Sequence, residues 1–487
     1  MPKATLKIRA SAHVGALLIV LVGFAARIVN LGGFDFWFDE VGQVLVGRAS
    51  SPIEAIRVAA DHLGATPLDY VVTWLGVQLL GENEFALRWI PLCWSTLTLA
   101  LLYSAGERLE RGIGNWSALL AAISPLAVRY AQEVRFYSLA LMLCALTLWL
   151  SLRWRRRGAG WTVGVALVMT LSLYTHAYTA LTWPFIAWAI VCTAPGRSKQ
   201  LILKFGLAVA LAITIFAPWL LGELLTEQVP PFADAAGFNF ETARRILAGW
   251  EMPNLSPVSA RNTASQPLPY LIIALHVAAL LLAVYQARSS PLWIGALGIY
   301  ALATLTVVLN DMRTGYFFAP RQILNLLLLR ALFGGWVLRQ AAATFQRRHE
   351  WSAALLAASI FVIAIPSLAS YYANWRYKSN ASEIAELVAR VNPTAHWIVP
   401  GYDQLTVNYY LERAGHTPVS WRTFAGEKID PETIRLSVSG GAATIVVLQA
   451  TYATPQALDI LKTTGFEVIW PADGVTGNEH FVAPGRR

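Results

Sequence analysis

Apolar runs of membrane-spanning length, separated by short arginine-rich loops, recur along this chain and leave little choice of fold class. A bilayer core needs roughly 20 apolar residues in helical form, because lipid offers no partner to an unsatisfied backbone N–H or C=O. Eleven segments meet that description: residues 11–31, 86–106, 113–128, 136–152, 161–175, 179–194, 203–222, 269–286, 291–309, 322–339 and 351–371. With 56% hydrophobic residues against 14% charged, most of the chain is excluded from the ordinary soluble class. The reading is a polytopic α-helical membrane protein with about 11 transmembrane helices.

The basic residues orient those spans. With a cytoplasmic N-terminus, the inner loops hold Arg108 and Arg111, then Arg153, Arg155, Arg156 and Arg157, then Arg197, Lys199 and Lys204, then Arg288, and last Arg339, Arg347 and Arg348. The opposite loops carry Asp35, Asp39, Glu40, Glu54, Asp61, Asp69, Glu82 and Glu84. This asymmetry obeys the positive-inside rule and accounts for the net charge of +9, so no nucleic-acid partner is inferred. An odd number of spans leaves the C-terminus outside. Lys3, Lys7 and Arg9 before an apolar run resemble a signal peptide, but no small-residue cleavage site precedes Arg27 and Asn30, so the run reads as a retained first span. Cys93, Cys144 and Cys192 fall within or at the ends of spans and form neither a disulfide framework nor a metal motif.

Two domains are expected. Residues 1–375 form the transmembrane domain, including outer loops 32–85 and 223–268; residues 378–487 form an extracytoplasmic α/β domain. In the first loop Pro52 to Asp61 is helix-like, and in the second Phe238 to Trp250 places its apolar residues on one helical face, as an interfacial helix does. Beyond residue 378, helices are expected from Ser379 to Arg390, Asp403 to Arg413 and Pro455 to Thr463. Strands are expected at His396 to Pro400, Ala443 to Leu448, Phe466 to Trp470 and His480 to Val482. Gly112-Ile113-Gly114 follows no strand, so it marks a helix break and not a nucleotide site.

The stretch Phe34-Asp35-Phe36-Trp37-Phe38-Asp39-Glu40 sets two adjacent carboxylates into an aromatic run just after a span. A carboxylate that loses hydration needs a cation, a donor or a proton to accept; a solvated loop in an aromatic belt is the plainer reading. Other ionisable residues at the outer ends of spans are His62, Glu133, Arg135, His176, Arg313 and Arg321. Such residues are functional candidates by default. Taken singly, Glu133 and Arg135 also suit an interface ion pair, His176 a turn, and Arg321 a headgroup anchor.

The order of these motifs is more specific than any one of them. The Asp39-Glu40 pair is followed by His62, by Thr66-Pro67-Leu68-Asp69-Tyr70, by Gly81-Glu82-Asn83-Glu84-Phe85-Ala86-Leu87-Arg88, by Gln132-Glu133-Val134-Arg135-Phe136-Tyr137 and by Tyr174-Thr175-His176. Over residues 10 to about 375 this order resembles the protein O-mannosyltransferase and aminoarabinose-transferase superfamily of membrane glycosyltransferases, the GT-C fold. The resemblance implies a catalytic carboxylate at Asp39, with Glu40 beside it, and places Glu133 in the second acidic loop. It implies donor-phosphate contacts from Arg135, Arg321 and Arg313, and a substrate pocket including His62, Tyr70, Tyr137, His176 and Tyr316. Two departures stand out: Thr66-Pro67 where the family shows two prolines, and Gln322 where a tyrosine commonly follows the arginine.

The chemistry expected is inverting transfer of a sugar from a polyprenyl-phosphate donor to a hydroxyl acceptor on the outer face, since nucleotide sugars are cytoplasmic. One base and fixed cations for the departing phosphate suffice. No cofactor is specified; Asp39, Glu133 and His62 are oxygen and nitrogen donors suited to a divalent metal, without a spacing that demands one. The alternatives are a lipid or glycan transporter, which would favour mid-span charges and paired broken helices, and a receptor with an outer binding domain, which leaves both acidic motifs without a reason.

Overall fold

The computed structural model describes residues 3–61, 66–153, 159–194, 196–225, 287–314, 319–348, 364–369, 371–372, 381–390, 396–400, 403–418, 421–424, 444–449, 467–470 and 478–482, with residues 274, 281, 284 and 285. The chain divides into two compact units, Met1–Leu31 with Val46–Ala373, and Gly32–Leu45 with Asn374–Arg487. Residues 32–45 thus group with the C-terminal part and not with the helices that flank them.

The described part of the first unit is helical. It comprises α1 (Lys3–Ile28) and, after α2 (Phe38–Val46) of the second unit, α3 (Pro52–Asp61), α4 (Pro67–Leu80), α5 (Glu84–Leu109), α6 (Gly114–Ala122), α7 (Pro125–Ala131), α8 (Tyr137–Arg153), α9 (Ala159–Leu173), α10 (Trp183–Thr193), α11 (Ser198–Leu225), α12 (Pro291–Thr314) and α13 (Leu327–Arg348). Two 3-10 turns, Ala177–Thr182 and Pro320–Leu326, lead into α10 and α13. Among the described residues four helices are long and apolar enough to cross a bilayer, and four shorter apolar helices accompany them. Leu203, Leu207 and Ile215 on α11, Val163 and Leu167 on α9, and Leu302 on α12 are exposed. Such faces suit lipid and not water, as a helical membrane protein requires.

At the centre stands α8, whose Leu139, Leu141, Met142, Leu143, Cys144, Ala145 and Leu148 are all buried. A helix apolar all round belongs inside a bundle, and α5 and α9 pack against it. The N-terminus of α5 is capped by Asn83, whose Oδ1 accepts the N–H groups of Phe85 at 3.0 Å and Ala86 at 3.2 Å. Helices α5 and α6 meet nearly backbone to backbone, because a Cβ at Gly106 would stand 2.9 Å from the Gly114 Cα. Small residues at helix crossings are the usual means of close packing in lipid. The break at Gly112, which has φ +90, is fixed by Glu107, which accepts the N–H of Gly112 at 3.1 Å and of Gly114 at 3.0 Å.

Residues 113–128, expected as one span, are two helices. Ser124 sits at φ −64, ψ 115 and its hydroxyl accepts the Ala127 N–H at 3.4 Å, with Pro125 in the first turn of α7. Proline forces its predecessor out of helical geometry, and serine then caps the new start. The carbonyls orphaned where α6 ends are met by a buried cation from α1. Arg27 donates from Nε to Ser95 Oγ at 2.8 Å, from Nη1 to Gly23 O at 2.8 Å and Ala122 O at 3.0 Å, and from Nη2 to Ala121 O at 3.0 Å. A cation at a helix C-terminus also meets the negative end of its dipole.

In the second unit α14 (Ala381–Arg390) and α15 (Asp403–Arg413) accompany a five-stranded sheet of order β2-β1-β3-β5-β4. The strands are β1 (His396–Pro400), β2 (Trp421–Phe424), β3 (Thr444–Gln449), β4 (Glu467–Trp470) and β5 (Asn478–Val482). β1 runs parallel to β2 and β3, so a crossover is required, and α15 supplies it between β1 and β2. The β3–β5 and β4–β5 pairs are antiparallel. Strand β2 had no counterpart in the sequence reading. The expected helices at 238–250 and 455–463, the span at 269–286 apart from residues 274, 281, 284 and 285, and the span at 351–371 apart from residues 364–369 and 371 lie outside the described residues.

Candidate active site

Each unit contributes candidate residues. In the second unit, the N–H of Phe36 donates to Tyr410 Oη at 2.6 Å, and Asp35 Oδ2 accepts the N–H of Ser382 at 2.6 Å. Ser382 lies in the first turn of α14, where an acceptor is favoured by the unpaired N–H groups and the helix dipole. The aromatic-acidic stretch is thereby tied at successive residues to α14 and α15. Glu40 is fully buried and its Oε2 accepts the Trp37 N–H at 3.3 Å. Only the acidic half of a capping box is present at the start of α2, because the Trp37 side chain has no oxygen to return the bond. Asp39, one residue before it in the same first turn, is half-buried.

In the first unit, the turn between α7 and α8 holds the second group. Gln132 is buried, its Nε2 donating to Arg27 O at 2.8 Å and Val29 O at 2.7 Å, while its Oε1 accepts from Tyr371 Oη at 2.7 Å. Held so, the turn carries Glu133 fully inside, where Arg129 Nε reaches its carboxylate at 3.3 Å. The Arg135 N–H donates to Glu133 O at 2.8 Å, a tight three-residue reversal between the two side chains. Arg135 is half-buried, its guanidinium carbon 5.3 Å from the Phe136 ring centre. His176 stacks on Phe136 at 4.6 Å and 17°, and Tyr137 lies 4.2 Å from Phe136 and 4.6 Å from Tyr130. A cation beside an aromatic face gains attraction from the ring quadrupole.

His176 Nδ1 accepts the Tyr178 N–H at 3.2 Å, so the neutral ring carries its proton on Nε2. Burial first, and the positive Arg135 second, hold its pKa at about 4 instead of 6.5. The fold therefore prefers the neutral ring, and the unfolded chain takes up the proton first as pH falls. Stability attributable to His176 is expected to be complete above pH 6.5 and to fall away toward pH 4. Thermal unfolding of the wild type and of His176→Gln across that window checks this: the two curves should converge as pH drops. Parallel curves would mean that the ring does not titrate there.

Arg313 is exposed at the end of α12 and Arg321 half-buried in the 3-10 turn before α13. The two elements are joined by a hydrogen bond from Gln322 Nε2 to Asp311 Oδ1 at 3.1 Å. Tyr70 is buried in a small core with Val46, Ala55 and Ala59. His62 and Tyr316 lie outside the described residues. Among the described residues no group of three His, Cys, Asp or Glu side chains could hold a metal ion. Three contributors were not anticipated: Gln132 as the strut of the turn, Arg27 as its support, and Asp311. A carboxylate and an arginine at the ends of apolar spans were the available signals for the last two.

Compared with known proteins, residues 65–221 match the family model described as dolichyl-phosphate-mannose-protein mannosyltransferase. Over 186 residues, 38% of this chain, the sequence is 26% identical to the undecaprenyl phosphate-alpha-4-amino-4-deoxy-L-arabinose arabinosyl transferases of Pectobacterium carotovorum and Pectobacterium atrosepticum. The match spans only 29% of those relatives' length. Among solved structures, ArnT from Cupriavidus metallidurans superposes with a TM-score of 0.54 at 15% identity, over 98% of this chain and 100% of that one. The same protein bound to undecaprenyl phosphate gives 0.52 at 14% identity over 96% and 99% of the two chains, and the Archaeoglobus fulgidus oligosaccharyltransferase 0.51 at 12% over 98% and 74%. At these identities the likeness is one of fold.

Proposed function

We propose that this chain, a GT-C, glycosyltransferase family 39-like protein, is an inverting glycosyltransferase. In this reading it moves a sugar from a polyprenyl phosphate to a hydroxyl acceptor on the outer face of the cytoplasmic membrane, where its C-terminal α/β part also lies. The observation that carries it is the α7–α8 turn, inside the matched segment, which buries Glu133 against Arg129 and sets Arg135 over an aromatic stack. That is a cationic and aromatic setting suited to a phosphate and a sugar ring.

In the reaction, Asp39 takes the proton of the acceptor hydroxyl as its oxygen attacks the anomeric carbon. The bond from that carbon to the phosphate oxygen breaks, and polyprenyl phosphate departs with the electron pair. A single displacement inverts the configuration. Arg135, Arg321 and Arg313 meet the phosphate, whose charge grows as the bond lengthens, so part of their contribution arises only in the transition state. Glu133 holds Arg129 and thereby the turn that carries Arg135. The test is transfer from a synthetic polyprenyl-phosphate sugar by the purified protein, read by mass spectrometry; no product with any donor would refute the reading.

Arginine presents a planar fork of donors to phosphate that lysine cannot reproduce. Arg321→Ala should therefore lose about 1.5–3 kcal/mol of donor and transition-state binding, the value of a charged hydrogen bond. Arg321→Lys should lower both donor affinity and turnover. A mere membrane anchor would accept lysine, which reaches the interface equally well. Unchanged rates for the lysine variant at saturating and limiting donor would remove Arg321 from the site.

A further inference from the structure

Polar groups that the reaction above leaves unused gather where α12 ends. Asp311 is buried in its last turn; Oδ1 accepts from Gln322 Nε2 at 3.1 Å, while Oδ2 is buried with no partner among the described residues. Gln322 and Asn325 share a 3-10 turn, where three residues make one revolution, so both lie on one face. Asn325 is buried too; its Nδ2 donates to Tyr178 O, and its Oδ1 likewise has no partner among the described residues. Asn310 Nδ2 donates to Tyr178 Oη at 2.9 Å, which draws the two asparagines to one tyrosine. Native interiors leave few buried polar atoms unmatched, and those left are often functional.

Both unmatched atoms are acceptors, so the missing partner is a hydrogen-bond donor. The aromatic stack is adjoining: the Tyr178 ring is 5.1 Å from His176, which lies on Phe136. Planar carboxylate and amide acceptors beside aromatic faces suit a sugar, whose hydroxyl or ammonium groups donate while its C–H face packs on a ring. We propose that Asp311, with Asn325, forms the subsite that receives hydrogen bonds from the transferred sugar. This rests on the glycosyltransferase reading and adds to it a residue that sets sugar specificity.

The experiment uses the full-length protein in detergent and three probes: a bare polyprenyl phosphate, one bearing a neutral hexose and one bearing an amino sugar. Asp311→Asn should weaken binding of the sugar-bearing lipids by about tenfold or more, as loss of a charge-assisted hydrogen bond does, and leave the bare lipid unaffected. Its thermal unfolding temperature should hold or rise, because a carboxylate buried without a full set of donors is costly to fold. Loss confined to the amino-sugar lipid identifies an ammonium donor; loss for both identifies a hydroxyl. Unchanged affinity for both sugar-bearing lipids overturns the subsite and leaves the glycosyltransferase reading standing. Should the Asp311→Asn protein fail to fold, Asn325→Ser carries the same expectation. A wild type that binds all three probes alike and transfers nothing defeats the glycosyltransferase reading, and this inference falls with it.

Discussion

Asn in place of Asp39 is expected to lower turnover by ~10²–10⁴-fold, the usual contribution of a positioned general base. The substitution keeps side-chain volume and most hydrogen bonding, so donor affinity should survive and the loss should appear in kcat and kcat/KM together. Glu40→Gln should behave differently. An amide oxygen can still accept the Trp37 N–H that Glu40 receives at 3.3 Å, so the helix start is kept and turnover falls little. If Asp39→Asn transfers sugar at the wild-type rate in a purified assay, another group is the base; if Glu40→Gln takes the larger loss, the two carboxylates exchange roles.

Arg27→Met is expected to cost folding stability on the order of 1–3 kcal/mol for each buried acceptor left without a donor, since the partners of its guanidinium are a hydroxyl and backbone carbonyls. Four hydrogen bonds disappear at once, and the carbonyls of Ala121 and Ala122 at the end of α6 lose the donor that serves them. Lysine should not rescue the loss, because one ammonium cannot reach Ser95 and both of those carbonyls from a single position. The consequence extends to the candidate site, since Gln132 in the α7–α8 turn hangs from the Arg27 and Val29 carbonyls. Thermal unfolding in detergent reads the effect, and an unfolding temperature matching the wild type would dismiss Arg27 as a staple.

Much of the helical layout was legible because lipid enforces a simple code. Residues 136–152, picked out by hydropathy, match α8 to within one residue at each end, and 291–309 lie within α12. Beyond residue 378, turn signals and apolar alternation located α15 at Asp403–Arg413 and β1 at His396–Pro400. Hydropathy is blind, however, to a break that keeps its apolar character. Ser124-Pro125 carried the stop signal inside the run 113–128, and weighing that dipeptide would have split the span. Strand β2, Trp421–Phe424, is four residues at the sheet edge, too short for a period to register.

The candidate site was legible in its residue types but not in their duties. Glu40 reads as a second catalytic acid when it stands beside Asp39, whereas in the structure it accepts the N–H of Trp37, three residues back; with tryptophan in place of serine or threonine there, no capping signature announces that bond in the sequence. Asp35 had no visible task because its partner, Ser382, is 347 residues away. Asp311 carries no local signal of its bond for a similar reason, since its partner Gln322 lies across a turn on the next element.

The grouping of Gly32–Leu45 with Asn374–Arg487 bears on how this protein can be dissected. Removing the chain from residue 374 onward would take away no residue assigned to the chemistry. It would nevertheless take Ser382 from Asp35 and Tyr410 from Phe36, the two moorings just upstream of Asp39. A truncated form would then resemble a catalytic knockout, and a chimera that exchanges C-terminal portions between relatives would function only when residues 32–45 travel with the portion that anchors them.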